Sequence, residues 1–304
     1  MRPIIGVTGS SGMIGTRLCE KLLENGFEIV GLDIEPNSWN KSVAQKTILI
    51  DLRDPAQFSK IPLKIDFFIH LAANARVYDL VVRPDLAFDN QVMAYNCLEF
   101  CRRNGIKKFI FASSREVYGN QGKTVYSENE ARIEYTESPY ASSKISSESL
   151  IRSYQKCYGI DFGIVRFSNV YGMYDHSNRL IPTTFQLIRQ NKPVTVFGKD
   201  KALDFTYIDD SVKGLMLLIQ KFESAKNESY NIAFGKEISI ETVVRSLRDQ
   251  LNAKNEIIVT SSRPGEVQRF CADISKARKK LGFSPDVPFE EGLKKTVEWY
   301  QKNP

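Results

Sequence analysis

Tyr140 is followed four residues later by Lys144, a spacing that no other of the chain's 13 tyrosines has with a lysine. On a helix, positions i and i+4 share a face, so phenol and ammonium would lie together. A phenol with its ordinary pKa of about 10 is a poor base at neutral pH, but a neighbouring cation stabilises the phenolate. Tyr140 can then accept a proton from a substrate hydroxyl as hydride leaves the same carbon. Ser114, at the end of the apolar run Phe109-Ile110-Phe111-Ala112-Ser113, is the candidate to hydrogen-bond that hydroxyl. By itself a Tyr/Lys pair is more often a surface feature of a helix. What raises it here is a second motif, far upstream.

The apolar run Ile4-Ile5-Gly6-Val7 leads directly into Gly9-Ser10-Ser11-Gly12-Met13-Ile14-Gly15, and Leu18, Leu22 and Leu23 follow at helical spacing. This pattern predicts strand, tight turn, helix. One glycine permits the turn, another lets the backbone approach a pyrophosphate, and the last lets helix pack on strand. Free N–H groups at the helix start then face the phosphates. Gly9, Gly12, Met13, Ile14 and Gly15 are therefore assigned to a dinucleotide cofactor. A second strand, Glu28 to Leu32, ends at Asp33, where an acid is expected to bind ribose hydroxyls and to repel a 2′-phosphate. NAD is thus favoured over NADP, with Lys144 holding the nicotinamide ribose as well as lowering the Tyr140 pKa.

Composition sets the bounds. A chain of 304 residues has ample length to bury a core in two intertwined lobes, and 42 basic against 36 acidic residues leaves a net charge of +6. The basic residues are scattered, which suits an anionic small substrate and gives no footprint for nucleic acid. Five cysteines (Cys19, Cys97, Cys101, Cys157 and Cys271) lack metal-ligand spacing and read as reduced, mostly buried thiols. With only His70 and His176, neither a histidine metal site nor a Ser-His-Asp triad has material to draw on, and no metal is expected. No signal-peptide pattern or membrane-spanning run is evident, so a soluble, cytoplasmic protein is expected.

Strand patterns near 46–50, 65–71, 108–113 and 162–166 alternate with helices near 85–103 and 138–158, the mark of an α/β fold. A Rossmann-type, doubly wound parallel sheet follows, with a smaller C-terminal α/β substrate-binding lobe. Gly9, Asp33, Ala72 and Ser114 all fall at strand carboxyl ends, where such sheets bind ligands. Beyond Asn169 the pattern loosens into short strands at 194–197 and 230–232 and helices at 210–222, 240–251 and 289–301. Residues 1–168 are assigned to the NAD-binding lobe and 169–304 mainly to the substrate lobe, the chain crossing back around 200–225.

Over nearly its whole length the chain resembles the extended short-chain dehydrogenase family, specifically its nucleotide-sugar epimerases and dehydratases. The likeness is carried by Thr8-Gly9 with the following glycines, Asp51-Leu52-Arg53-Asp54, His70-Leu71-Ala72-Ala73, Asn90 and Ser113-Ser114-Arg115-Glu116-Val117-Tyr118-Gly119. It continues through Tyr140/Lys144, Arg166-Phe167-Ser168-Asn169-Val170-Tyr171-Gly172, Asp204-Phe205-Thr206-Tyr207 and Arg263-Pro264-Gly265-Glu266. The resemblance implies that Asp51 and Leu52 flank the adenine, that Leu71, Ala72 and Ala73 lie along the cofactor, and that Asn90 stands near the nicotinamide. It places Asn169 near a substrate diphosphate, and Val196 and Arg263 near the nucleotide. It also implies a homodimer through helices 85–103 and 138–158, with Val92, Tyr95, Leu150 and Tyr154 as candidate contacts.

Two departures bear on the reaction. Many relatives carry Arg-Asp-Phe where this chain has Leu203-Asp204-Phe205, so one phosphate-binding arginine is missing; either Arg263, Lys199, Lys201 or Arg179 substitutes, or the sugar nucleotide is held differently. Family 4,6-dehydratases usually place Asp-Glu after the Ser/Thr, whereas this chain has Arg115-Glu116. Glu116 pulls toward elimination or decarboxylation as an acid or base, and Arg115 pulls against it. The leading expectation is an NAD-dependent epimerase acting on a nucleoside-diphosphate sugar through a 4-keto intermediate. A 4,6- or 5,6-dehydratase or a decarboxylase is the alternative. A sugar dehydrogenase that releases NADH, or a catalytically silent NAD sensor on the same fold, is more remote.

Overall fold

The computed structural model describes residues 3–303. Seven parallel strands form its main sheet: β1 (Ile4–Thr8), β2 (Glu28–Asp33), β3 (Thr47–Leu49), β4 (Phe67–His70), β5 (Lys108–Ser114), β6 (Asp161–Phe167) and β7 (Glu228–Ile232). Their spatial order is β3-β2-β1-β4-β5-β6-β7. The chain winds outward from β1 to β3, then restarts at β4 on the other side of β1. That reversal opens a crevice beyond the strand carboxyl ends, the doubly wound arrangement expected from the sequence.

The strands are parallel because both faces can be covered. All four residues of β4 are buried, as is β5 from Phe109 onward, so neither strand has a solvent face. Alternate side chains go to opposite sides. Phe68 and Phe109 join Cys97, Leu98 and Ile151 in one core, whereas Ile69 and Ile110 join Leu18, Leu22 and Leu215 in the other. The first core lies under helices α2 (Asp85–Arg103) and α3 (Pro139–Tyr158), the second under α1 (Met13–Glu24) and α4 (Ile208–Gln220). Burial of Leu18 and Leu22 stabilises α1 on the sheet by about 1.5–3 kcal/mol each.

A second sheet runs Glu237–Ser239, Ala202–Tyr207, Arg269–Ala272, Val125–Tyr126, with Asn169–Tyr171 also paired to Ala202–Tyr207. Val125–Tyr126 comes from the first half of the chain, so the two sheets are interleaved rather than strung in sequence. Asp204 is fully buried at their junction. Its carboxylate accepts N–H bonds from Phe234 (3.1 Å), Gly235 (2.8 Å) and Ala272 (3.3 Å). Burial pushes its pKa up to about 6 against those bonds.

Most elements lie where periodicity placed them. Leu180–Arg189 is a helix in the stretch where the sequence pattern loosens and none was expected. Proline is tolerated in a first helical turn, and Ile181, Phe185 and Ile188 supply a buried face. Among the described residues no helix is long and apolar enough to cross a membrane.

Candidate active site

A cleft of about 1050 Å³ opens at the carboxyl ends of β1, β2, β4 and β5 and runs beneath the second sheet. Gly9, Gly12, Met13, Ile14, Gly15, Asp33, Asp51, Leu52, Leu71, Ala72 and Ala73 all line it, as do Ser114, Glu116, Tyr140, Lys144, Asn169 and Arg263. Residues separated by more than 200 positions thus meet in one crevice.

The glycine turn is built to different tolerances at each position. Gly9 has φ +69°, and a Cβ there would come within 2.9 Å of the Ala72 nitrogen. At Gly15 a Cβ would lie 1.9 Å from the Gly9 carbonyl oxygen. Gly12 is different: its nearest protein atom would be 3.4 Å away, so packing within the chain does not demand glycine there. Gly12 begins α1 with no side-chain cap and no acid in the first turn, which leaves N–H groups free toward the cleft. An anion approaching this backbone closely would account for Gly12 where the protein's own contacts do not. The residues present therefore fit a dinucleotide.

The walls are tied together by polar contacts. Asp33 accepts N–H bonds from Ser11 (2.8 Å) and Glu35 (3.1 Å), and burial raises its pKa against them. Asp51 is held below its ordinary range by its bonds to Arg53, whose guanidinium also reaches Asp89 at 3.0 Å. The Thr8 hydroxyl accepts the N–H groups of Leu71 and Ala72, both at 3.1 Å, and so donates its own proton to His70 Nδ1 at 2.8 Å. His70 can accept because burial lowers its pKa to about 3, keeping the ring neutral. This clamp on the Leu71–Ala73 wall was invisible as a role in the sequence.

Two expected cofactor and nucleotide contacts stand one layer back. Asn90 is buried in α2 and does not line the cleft. It accepts the Asn74 N–H (2.8 Å) and donates to the Asn74 carbonyl (3.0 Å), bracing the loop after β4. Val196 is fully buried in the core because its strand alternates, while its neighbours Thr195 and Phe197 face the cleft. Arg263 stacks its guanidinium 3.8 Å from the centre of the Phe197 ring.

Helix α3 carries two of the groups expected to react, Tyr140 and Lys144. Pro139 occupies its first turn, and the Ser138 side chain caps it by accepting the Ala141 N–H at 3.2 Å. Tyr140, Lys144 and Glu148 recur at i+4 and are all buried. Burial raises the Tyr140 pKa; the hydrogen bond with Ser114, then the charge of Arg179, oppose it most. Lys144 Nζ donates to the Ala112 carbonyl at 2.9 Å and lies 5.7 Å from the Tyr140 ring centre. Burial lowers the Lys144 pKa to about 8, with Glu148 as the opposing charge. Glu148 is itself locked: it receives Arg166 Nε (2.9 Å) and Nη2 (2.7 Å) and the Ser113 hydroxyl (2.6 Å). This buried pair joins α3 to β5 and β6 and fixes Ser114 relative to Tyr140.

Beside Ser114, Arg115 Nη2 lies 2.7 Å from Glu116 Oε1, and both side chains are buried. The cleft also receives Leu203 where a phosphate-binding arginine was missing from the sequence. Of the proposed substitutes, Lys201 is bound to Glu266 at 2.7 Å and Lys199 is exposed outside the cleft. Arg179 and Arg263 line it without a carboxylate partner among the described residues.

A doubly wound sheet with an uncapped glycine turn and a Ser, Tyr and Lys set at the mouth of β5 defines a nicotinamide-dependent enzyme of the short-chain dehydrogenase class. More particularly, the chain belongs to the NAD dependent epimerase/dehydratase family, whose model matches residues 5–233. It is 33% identical to a putative UDP-glucose 4-epimerase of Methanocaldococcus jannaschii, with 99% of each chain covered. Its structure resembles that of a Thermotoga maritima UDP-glucose 4-epimerase with UDP-glucose (TM-score 0.90, 29% identity, 99% of both chains). It equally resembles a dTDP-glucose 4,6-dehydratase of Streptomyces venezuelae with NAD bound (TM-score 0.91, 26% identity, 99% of this chain and 97% of that one).

Proposed function

We propose that the protein is an NAD-dependent epimerase of a nucleoside-diphosphate sugar. The observation that favours it over a dehydratase is the Arg115–Glu116 ion pair: Glu116 Oε1 is engaged by a guanidinium 2.7 Å away rather than presented to a carbon-bound proton. Gly12, Met13, Ile14 and Gly15 would hold the pyrophosphate, Asp33 the adenine ribose, and Asp51, Leu52 and Leu71–Ala73 the remaining length of NAD. When bound, NAD supplies a hydride acceptor that can return the hydride to the opposite face of the sugar. The chain's own part is proton handling and orientation. Tyr140 accepts the sugar hydroxyl proton, Ser114 holds that oxygen in line, and Lys144 supplies positive charge behind the phenolate. Asn169, Arg179 and Arg263 meet the diphosphate in place of the arginine absent at Leu203.

A second copy of the chain is proposed to cover α2, where Phe88, Val92 and Tyr95 share one face and Phe88 is 67% and Tyr95 48% exposed. Tyr154 is not available for this contact as the sequence suggested, because it is buried with its hydroxyl on Glu99 at 2.7 Å. The cytoplasmic setting expected from the sequence suits five cysteines that are all free.

The test is incubation with NAD and UDP-, dTDP-, GDP- and CDP-sugars in deuterated water, followed by mass spectrometry and proton NMR. An inverted sugar centre at unchanged mass, with no net NADH, is expected. Tyr140→Phe should lower turnover by about 10²–10⁴-fold while sugar-nucleotide binding persists. Loss of water or carbon dioxide with deuterium in the product would replace the epimerase with a lyase.

A further inference from the structure

The Arg115–Glu116 pair leaves two polar atoms unused. Nη2 of Arg115 binds Glu116 Oε1 and approaches Asn169 Oδ1 at 3.4 Å, but Nη1 and the second carboxylate oxygen, Oε2, have no hydrogen-bond partner. Both atoms are buried, and buried polar atoms without partners are rare in folded proteins. Neighbouring groups do not compete for them: Lys201 is taken by Glu266 (2.7 Å), and Glu148 by Arg166 and Ser113. Both residues line the active-site cleft. They follow Ser114 directly, and the Glu116 N–H donates to the Ser114 hydroxyl at 3.2 Å, which sets the pair beside the hydroxyl proposed to hold the substrate oxygen.

We propose that Arg115 and Glu116 form a specificity subsite that selects a neutral substituent next to the reacting hydroxyl, a group that both accepts and donates a hydrogen bond. The inference rests on the nucleotide-sugar reading above and deepens it. The pair is neutral as a unit and offers one donor, Nη1, and one acceptor, Oε2. A sugar hydroxyl, or the C=O and N–H of an acylamino group, satisfies both. A carboxylate would satisfy Nη1 but set its second oxygen against Oε2, so a uronic acid is disfavoured. An ammonium fails in the opposite sense. The substrate class is therefore a nucleoside-diphosphate hexose or acylaminohexose rather than a nucleoside-diphosphate uronate.

Binding tests this without relying on turnover. The NAD-loaded Tyr140→Phe protein is titrated by calorimetry with UDP, UDP-glucose, UDP-N-acetylglucosamine and UDP-glucuronate, and with the matching dTDP, GDP and CDP forms. At least one neutral sugar nucleotide should bind about tenfold or more tightly than the uronate. Adding Glu116→Gln leaves Arg115 without its counter-charge and should strengthen uronate binding about tenfold, with affinity for the bare nucleotide unchanged. Should that variant not fold, Arg115→Lys keeps the charge but removes Nη1, and neutral-sugar binding should fall toward that of the bare nucleotide. Uronate binding equal to or tighter than the neutral sugars in the parent overturns the proposal, as does a uniform change across all ligands. Failure of UDP, dTDP, GDP and CDP alike to bind would instead remove the nucleotide-sugar reading itself, and this subsite with it.

Discussion

At the scale of single residues the site works by placing charge where solvent cannot help. Lys144 is buried beside a carbonyl and aromatic rings, and its pKa falls from 10.5 to about 8. Between those values the unfolded chain carries a proton on this side chain that the folded chain has released. Stability therefore rises with pH through that window, by about 3 kcal/mol from this one group, and the whole penalty is present below pH 8. The stability difference between the wild type and Lys144→Met should shift toward the wild type as pH is raised from 8 to 10.5. Denaturant melts of both proteins across that range check it; a difference that does not move with pH would contradict the burial argument.

At the scale of elements, the turn between β1 and α1 separates folding from binding. Gly15→Ala drives a Cβ into the Gly9 carbonyl and must displace backbone, so both the melting temperature and NAD affinity should drop. Gly12→Ala meets only a 3.4 Å contact within the protein. Its melting temperature without cofactor should stay within about 2 °C of wild type, given that 1 kcal/mol moves such a domain by about 2–4 °C. NAD affinity should nonetheless fall by about tenfold or more, because the added methyl would stand where the pyrophosphate is proposed to meet backbone. Thermal melts paired with NAD titrations distinguish the two glycines, and equal loss of affinity and stability in both would show that Gly12 serves the fold alone.

For the whole molecule, the Phe88-Val92-Tyr95 stripe on α2, with Phe88 and Tyr95 exposed, is the surface proposed to meet a second copy of the chain. Size exclusion with light scattering should give twice the 34.6 kDa chain mass, and Tyr95→Glu with Phe88→Glu should give the single-chain mass while NAD binding persists. A wild-type monomer would remove this interface.

Local patterning carried much of the architecture. Periodicity placed α2 at its observed ends, and the glycine spacing after Ile4–Val7 located the cofactor turn, because both depend on neighbours in the chain. The order of Ser114, Tyr140 and Lys144 was likewise legible, since i and i+4 on a helix fix their shared face. What lay beyond sequence was decided by side-chain direction and by contacts between distant segments. Strand alternation turned Val196 inward, and a bond to Asn74 drew Asn90 behind the cleft wall. Pairing of Lys201 with Glu266 left Arg179 and Arg263 as the available cations, a choice that no spacing within the chain encodes. The sequence by itself determined a Rossmann-type frame and the order along it of the Ser114, Tyr140 and Lys144 candidates. Only the tertiary structure decided which charges are already spent on one another and which stay free for a substrate, because that depends on distances between groups far apart in the chain and on how completely each pair is shielded from water.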